Sequence, residues 1–237
     1  LKAAKLFKLL PPHIFSLYIG LNKKGYNLLF IFVIYIFAKI KINLYNNFVY
    51  MLIIGITGTL GAGKGTIVNY LVKHKGFKHY SAREFIIEEI KKRKLPINRD
   101  TMTLIANDLR KKYSPSYIVE KLYEKALDNG NDCVIESIRT PIEVEVLRKK
   151  GNFILIAVDA PLKERYKRIL NRNSETDHVT LETFIENEKR EMNSIDYTKQ
   201  NIQQCMQMAD YKIYNDGTIE KLENNIVDIL KKIGKDV

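Results

Sequence analysis

The sequence predicts an α/β fold in which a five-stranded parallel sheet lies between two layers of helices. From residue 51 onward, short apolar runs alternate with segments of helical spacing, and the runs are apolar throughout rather than at every second residue. Strands of this kind are typically buried on both faces, as parallel strands covered by helices are. A chain of 237 residues is long enough for one such domain and an extension.

Five apolar runs are predicted as strands. The first ends in a glycine-rich turn, and the fourth reads FILIAV. Runs of about four to eight apolar residues bounded by turn residues are typical of buried strands. The predicted strands are Met51–Thr57, Phe77–Tyr80, Asp132–Glu136, Phe153–Val158 and Tyr211–Tyr214.

Helices are predicted between these strands. The first has helical spacing, with Ile67, Val68, Leu71 and Val72 on one face. Pro141 opens another, as proline at a first helical turn often does. The predicted helices are Lys64–Lys75, Ala82–Lys92, Thr101–Lys112, Ser116–Asp128, Pro141–Lys149, Pro161–Leu170, Thr180–Met192, Gln200–Met208 and Thr218–Lys232.

Residues 1–50 form a hydrophobic and basic extension that differs in composition from residues 51–237, the predicted catalytic domain. Its longest apolar run, Leu28–Ala38, has eleven residues, fewer than the about 20 that a membrane-spanning helix needs. The extension is therefore a membrane anchor or interfacial segment, an uncleaved signal-like sequence, or translated upstream sequence before a true start at Met51. The abrupt change in composition at Met51 favours the third interpretation.

The charge distribution argues against a nucleic-acid partner. Of the net charge of +12, the first 50 residues contribute seven lysines and no acidic residue. The other 187 residues hold 32 basic and 27 acidic side chains and show no basic stripe with interleaved aromatics. Cys133 and Cys205 lie in apolar patterns without a zinc-site spacing. These features predict a cytoplasmic protein with reduced cysteines.

The segment between the first strand and the first helix matches the phosphate-loop pattern G-x-x-x-x-G-K. Its glycines let backbone N–H groups turn toward phosphate oxygens, and the following helix presents its N-terminus to the same anion. Lys64 is expected to reach the β- and γ-phosphates of ATP. Because Gly65 follows Lys64, Thr66 is expected to supply the hydroxyl for Mg²⁺. The predicted nucleotide-binding residues are Gly58, Thr59, Gly61, Ala62, Gly63, Lys64, Gly65 and Thr66.

The string GTLGAGKGT at 58–66 resembles the loop of adenylate kinase and other P-loop nucleoside monophosphate kinases, with Leu60 in place of the usual proline. Residues 135–140, IESIRT, resemble the acceptor-site segment L-D-G-F-P-R-T of that family. They are closer still to the D-G-I-R-S segment of a group of archaeal nucleotide-kinase-like proteins. The resemblance implies that Arg139 grips the acceptor phosphate and that Glu136 stands near the magnesium.

The same resemblance implies a short lid after the fourth strand, here the loop Asn171–Val179. Arg165, Arg168 and Arg172 precede or begin this loop, and Arg172 is the best candidate to close on the phosphates. A solvated helix face explains such a run equally well. Arg83, after the second strand, is expected to bind the acceptor or to be a surface arginine. The loop at 215–218 is expected either to border the adenine or to be a simple turn.

The sequence thus predicts a nucleotide kinase that moves the γ-phosphoryl group of ATP to a nucleotide or a nucleoside monophosphate, with Lys64, Arg139, Arg172 and Glu136 as catalytic residues. Dephospho-coenzyme A kinase is an alternative, although none of the four histidines precedes a proline. A nucleotide-binding sensor module without activity and a membrane-attached ATPase remain open. The general base is Glu136, Asp159 or neither, and the acceptor and the oligomeric state stay undetermined.

Overall fold

The computed structural model describes residues 51–172, 180–197 and 199–235. The predicted extension at 1–50 and residues 173–179 of the predicted lid lie outside the described residues. The described elements are β1 (Ile53–Gly58), α1 (Lys64–Lys75), β2 (Lys78–Ser81), α2 (Ala82–Lys92), α3 (Arg99–Lys112), α4 (Tyr117–Asn129), β3 (Cys133–Glu136), α5 (Pro141–Lys150), β4 (Phe153–Asp159), α6 (Leu162–Arg172), α7 (Leu181–Met192), α8 (Ile202–Gln207), β5 (Tyr211–Tyr214) and α9 (Ile219–Lys232).

The five strands form one parallel sheet in the order β2-β3-β1-β4-β5. The predicted fold class is therefore confirmed. In the register of the sheet, Ile53 of β1 pairs with Cys133 of β3 on one side and with Phe153 of β4 on the other. The chain turns to opposite sides of β1, so the crevice at the carboxyl end of β1 is where a sheet of this kind binds its ligands.

Successive residues of β1, β3 and β4 pack into two separate cores, because side chains of a strand alternate between the faces of the sheet. Ile53, Ile135 and Leu155 pack with residues of α2 to α5 on one face. On the other face, Ile54 and Ile156 pack with residues of α1 and α9. Val72 of α1, which the sequence placed on the buried face, is 38% exposed because it lies at the edge of that face. Both cysteines are buried free thiols, as the sequence predicts.

The helix boundaries depart from the prediction where a cap was overlooked. Asn98 Oδ1 accepts the N–H of Thr101, so α3 begins at Arg99, two residues before the predicted start. α6 continues through Asn171 and Arg172, which the sequence analysis assigned to the lid loop. In the part of the chain that the structure describes, no helix is both long and apolar enough to span a bilayer.

The connection between β3 and α5 is organised by one buried carboxylate. Glu143 is 1% exposed, and its Oε1 accepts hydrogen bonds from Nε and Nη2 of Arg110 at 3.1 and 2.9 Å. Its Oε2 accepts the backbone N–H groups of Arg139 and Thr140. The Thr140 hydroxyl in turn accepts the N–H of Glu143, which completes a capping box at the start of α5. Glu143 thus sets the backbone position of Arg139.

We expect Glu143→Gln to destabilise the fold by about 3–5 kcal/mol, because it leaves the buried guanidinium of Arg110 without its counter-charge. Urea unfolding followed by circular dichroism measures the change. Glu145→Gln on the same helix is the control, since Glu145 is exposed and its loss should stay within about 0.5 kcal/mol. Equal stability of the two variants would contradict the role given to Glu143.

Candidate functional site

The loop between β1 and α1 has a backbone that only glycine fits at its first position. Gly58 has φ of 132°, and a Cβ there would lie 1.9 Å from the carbonyl oxygen of Val158. Gly63, the residue before α1, is left-handed with φ of 106°, and as a glycine it provides no side-chain cap to the N-terminus of this helix. The positive end of this helix is therefore open to an anion.

Gly65 has a different role from the glycines before it. A Cβ at Gly65 would meet no atom of the described residues within 4 Å, so packing within the described part of the chain does not require glycine at this position. Gly65 is exposed, and the first turn of α1 is open beside it. Thr66, the residue expected to hold the magnesium, follows in the same turn. The loop therefore fits the polyphosphate that its sequence predicts.

Lys64 lies against the loop itself. Its Nζ donates hydrogen bonds to the carbonyl oxygens of Gly58 and Thr59, at 2.8 and 2.7 Å. Burial, and after it the guanidinium of Arg139, lowers the pKa of Lys64 to about 7, although Glu191 and Glu136 act in the opposite direction. The ammonium would therefore gain from an added anion.

Residues at the carboxyl end of β4 and in α6 hold the phosphate loop in position through hydrogen bonds. Asp159 Oδ1 accepts hydrogen bonds from the Thr59 hydroxyl and the Ala160 N–H, at 2.7 and 2.8 Å. Arg165 is 6% exposed and donates to the carbonyl oxygens of Ala160 and Leu60. It also forms a two-point ion pair with Glu188 of α7. Arg165 is therefore a buried structural residue that holds the phosphate loop in place. The sequence had suggested it as one of three possible lid arginines.

The segment after β5 closes the loop on its other side. Asn215 is 7% exposed, and its Nδ2 donates to the carbonyl oxygen of Ala62 at 2.8 Å. Arg168 donates to the carbonyl oxygen of Asn215 at 3.2 Å. The sequence analysis associated this segment with the adenine or with a turn, and it did not anticipate the contact with the loop. Arg172, at the end of α6, is exposed and close enough to lower the pKa of Lys64.

The carboxyl end of β3 carries a second group of polar residues. Glu136 accepts a hydrogen bond from the Ser81 hydroxyl at 3.2 Å and lies 3.8 Å from His79 Nε2. Burial opposes the charge of Glu136, but the nearby imidazole of His79, the hydroxyl of Ser81 and the charge of Lys64 hold its pKa below the usual value. The Glu136 carboxylate in turn raises the pKa of His79.

Ser137 follows Glu136 in a left-handed conformation, with φ of 66°. It stands where the similar D-G-I-R-S segment has glycine, which adopts this conformation without strain. Two hydrogen bonds hold the strained turn: Ile138 donates to the carbonyl oxygen of Ile56, and the Thr57 hydroxyl donates to that of Ile138. The turn directs the chain to Arg139.

Arg139 reaches from the β3–α5 turn to α7 and the segment before α8. Its Nη1 donates to Glu191 Oε2 and, at 2.8 Å, to Gln200 Oε1. Glu191 is 6% exposed, and its Oε1 lies 3.7 Å from Nε of Arg99. Burial opposes the charge of Glu191, yet the two arginines hold its pKa below the usual value.

Beside Arg139 lies a pocket that is open to solvent. Its volume is about 540 Å³ when the open space at its entrance is included. Four of its lining side chains are arginines, and Glu191 is its acidic one. An apolar wall accompanies them, so the pocket suits an anion joined to a less polar group. The lining residues are Ala82, Arg83, Ile86, Arg99, Met102, Thr103, Ala106, Arg110, Ser137, Arg139, Glu191 and Gln200.

The structure brings the predicted site residues into two adjoining groups. Lys64 and the loop form one group, and Arg83 with Arg139 line the pocket that forms the other. Glu136 lies close enough to Lys64 for each to affect the pKa of the other. The sequence analysis missed Glu191 and Arg99, because no local pattern marks a carboxylate 52 residues from the arginine that it binds. Within the described residues no cluster of three His, Cys, Asp or Glu side chains could hold a metal, so the assignment of Mg²⁺ to Thr66 and Glu136 stays a prediction.

Comparison with known proteins places the chain among related sequences. Residues 54–196 match the model of the AAA domain family. A UPF0200 protein of Methanococcus vannielii is 34% identical over 187 residues, which cover 77% of this chain and 97% of the relative. A UPF0200 protein of Staphylothermus marinus is 30% identical over 183 residues and is covered to 93%.

Among solved structures, TT1252 from Thermus thermophilus superposes with a TM-score of 0.52 at 18% sequence identity, over 77% of this chain and 97% of that chain. This likeness concerns the fold alone, which is the P-loop kinase-like arrangement of a five-stranded parallel sheet between helices. Residues 54–196 match the AAA domain, and the relatives are aligned over nearly their whole length. The chain therefore belongs to the UPF0200 family of P-loop kinase-like proteins.

Proposed function

We propose that the protein transfers the γ-phosphoryl group of ATP to a phosphorylated acceptor, a nucleotide or nucleoside monophosphate. The observation that carries the proposal is that a phosphate loop with its lysine lies near a pocket lined by arginines. Arg139 of this pocket is close enough to Lys64 of the loop for its charge to lower the pKa of Lys64. Two neighbouring groups of this kind suit a donor phosphate and an acceptor phosphate that react with each other.

On the donor side, the loop amides and the N-terminus of α1 would bind the β- and γ-phosphates. The ammonium group of Lys64 would move to bind them as well. Lys64 would exchange its bonds to the carbonyl oxygens of Gly58 and Thr59 for bonds to phosphate oxygens. Thr66 and Glu136 would hold Mg²⁺, which neutralises phosphate charge when bound and keeps most of its ligands as water and phosphate oxygen. Such chemistry belongs to the cytoplasm, where we expect the protein to act.

On the acceptor side, Arg139 would exchange Glu191 for the acceptor phosphate, and Arg83 lines the same pocket. An oxygen of that phosphate then forms the new bond to the γ-phosphorus, while the bond from the γ-phosphorus to the bridging oxygen breaks and ADP leaves. The attacking oxygen is already anionic, so no proton has to be removed. This is why a phosphate acceptor needs neither Glu136 nor Asp159 as a general base. Arg172, at the end of α6, would stabilise the transferred group.

The proposal is tested by ADP formation from ATP and magnesium with a panel of nucleoside monophosphates and dephospho-coenzyme A. We expect ADP to appear only with an acceptor, and Lys64→Ala to lower kcat by about 10²–10³ through the lost charge at the transferred group. Lys73→Ala, an exposed lysine of the same helix, is the control. Hydrolysis without any acceptor, or equal turnover by both variants, would count against phosphotransfer and favour a nucleotide-binding module.

Arg139→Lys separates acceptor binding from nucleotide binding. Lysine keeps the charge but loses the two-pronged geometry that suits a phosphate, so we expect KM for the acceptor to rise about 10- to 100-fold. The Kd for ATP, measured by calorimetry without an acceptor, should change by less than about threefold. Arg190→Lys is the matched control, because Arg190 is an exposed residue of α7. An unchanged acceptor KM, or a loss of ATP affinity alone, would contradict the assignment of Arg139.

Nucleotide binding should take up a proton. The lowered pKa of about 7 leaves Lys64 largely neutral at pH 8 in the free protein, and bound phosphates favour its charged form. Calorimetry at pH 8 in two buffers of different ionisation enthalpy should give an uptake of up to one proton per ATP, smaller at pH 6, where Lys64 is already charged.

The uptake should be absent in Lys64→Met and unaltered in Lys73→Met. Proton release at pH 8, or the same uptake in the Lys64→Met variant, would show that Lys64 does not titrate in this way.

A further inference from the structure

Arg110 presents a buried hydrogen-bond donor at the arginine-lined pocket. The residue is 3% exposed and is one of the residues that line the pocket. Its Nε and Nη2 are bound to Glu143, whereas its Nη1 has no hydrogen-bond partner among the described residues. A charged N–H group that is buried without a partner is costly, so it strongly favours any acceptor oxygen that reaches it.

The guanidinium groups of Arg110 and Arg139 are held from different sides. Arg139 is bound by Glu191 and Gln200, on the side of α7. Arg110 is bound by Glu143, at the start of α5. Because Glu143 also holds the backbone of Arg139, Arg110 lies near the root of the Arg139 side chain, away from the end that binds Glu191.

Helix α3 lines the pocket from Arg99 to Arg110. Arg99, which faces Glu191, and Arg110 are eleven residues apart on this helix, and their Cα atoms are therefore about 16 Å apart along its axis. The side chains of Met102 and Ala106 lie between them and line the pocket together with Ile86 of α2. An apolar wall of this kind suits a flat ring and does not suit a second phosphate.

On the basis of the proposed function, we infer that Arg110 is a specificity-determining residue that reads a carbonyl oxygen on the ring of the acceptor. The acceptor is then a nucleoside monophosphate with a carbonyl group on its base, whose phosphate binds Arg139 and whose ring lies along Ile86 and Met102. Guanine and hypoxanthine carry such an oxygen on C6, and uracil carries one on C4 at the corresponding edge of the ring. Adenine and cytosine carry an amino group in its place, which would leave Arg110 Nη1 without a partner.

The test is the affinity of the intact protein for inosine and adenosine 5′-monophosphates, which differ in the carbonyl or amino group on C6 and in the proton on the neighbouring N1. GMP and UMP join inosine monophosphate as the nucleotides with a carbonyl at this edge, and CMP joins AMP as the amino-bearing pair. Calorimetry should show inosine monophosphate, GMP and UMP each binding at least about 10-fold more tightly than AMP, a factor that corresponds to about 1.4 kcal/mol. AMP binding as tightly as inosine monophosphate, or no binding of any monophosphate, would overturn the inference.

Arg110→Lys gives the second arm. Lysine keeps a positive charge for Glu143 but has no second prong, so we expect the preference for inosine monophosphate over AMP to fall below about threefold while the Kd for AMP stays within about threefold of its original value. Equal weakening of all nucleotides would indicate a merely structural role and overturn the assignment. If this variant does not fold, the comparison of the two nucleotides on the unmodified protein decides alone.

Phosphoryl transfer is measured separately with the same panel. Selective binding of carbonyl-bearing nucleotides without ADP formation would leave the specificity of Arg110 standing and refute the phosphotransfer. Transfer to AMP with equal efficiency would keep the phosphotransfer and refute the role of Arg110.

Discussion

The site depends on an excess of positive charge at the carboxyl edge of the sheet. Lys64 is placed at the N-terminus of α1, where burial and the neighbouring Arg139 lower its pKa to about 7. Among the described residues the ammonium is bound by two carbonyl oxygens of its own loop, and Arg139 is bound by Glu191 and Gln200. Both cations are therefore paired with groups that a phosphate could replace, as the proposed function requires.

Helix α7 connects the two halves of this site. Glu188 and Glu191 are three residues apart and thus lie on one face of the helix. Glu188 binds Arg165, which supports the phosphate loop from below, and Glu191 binds Arg139 in the pocket. Phe184, 0% exposed, anchors the same helix by packing edge-on against Tyr166 of α6. Helix α7 thus contributes one carboxylate to the support of the phosphate loop and one to the arginine-lined pocket.

The fold was predictable because its signals are local. Apolar runs mark the strands of a buried parallel sheet, and the predicted bounds of α1 and α2 agree with the structure because a glycine-rich turn and the Ser81 cap mark their starts. The phosphate loop was predictable for the same reason, since its glycines and Lys64 lie within nine consecutive residues.

The partners of the site residues were not predictable from local patterns. Asn215 binds Ala62 from 153 positions away, and Glu191 binds Arg139 from 52 positions away. Arg165 has the same residue type and helix position as a lid arginine, but its burial and its bonds to backbone carbonyls identify it as a structural residue. Such roles depend on which segments the sheet order brings together, and a single sequence does not state that order.

The central claim is that one site holds two phosphate groups end to end. A crystal structure with two nucleosides joined by a chain of five phosphates would test it most directly. The account predicts phosphate oxygens within hydrogen-bond distance of Lys64 Nζ at one end and of the Arg139 guanidinium at the other, with Glu191 displaced from Arg139. Phosphates bound at the loop alone, with the Arg139–Glu191 pair intact, would contradict it.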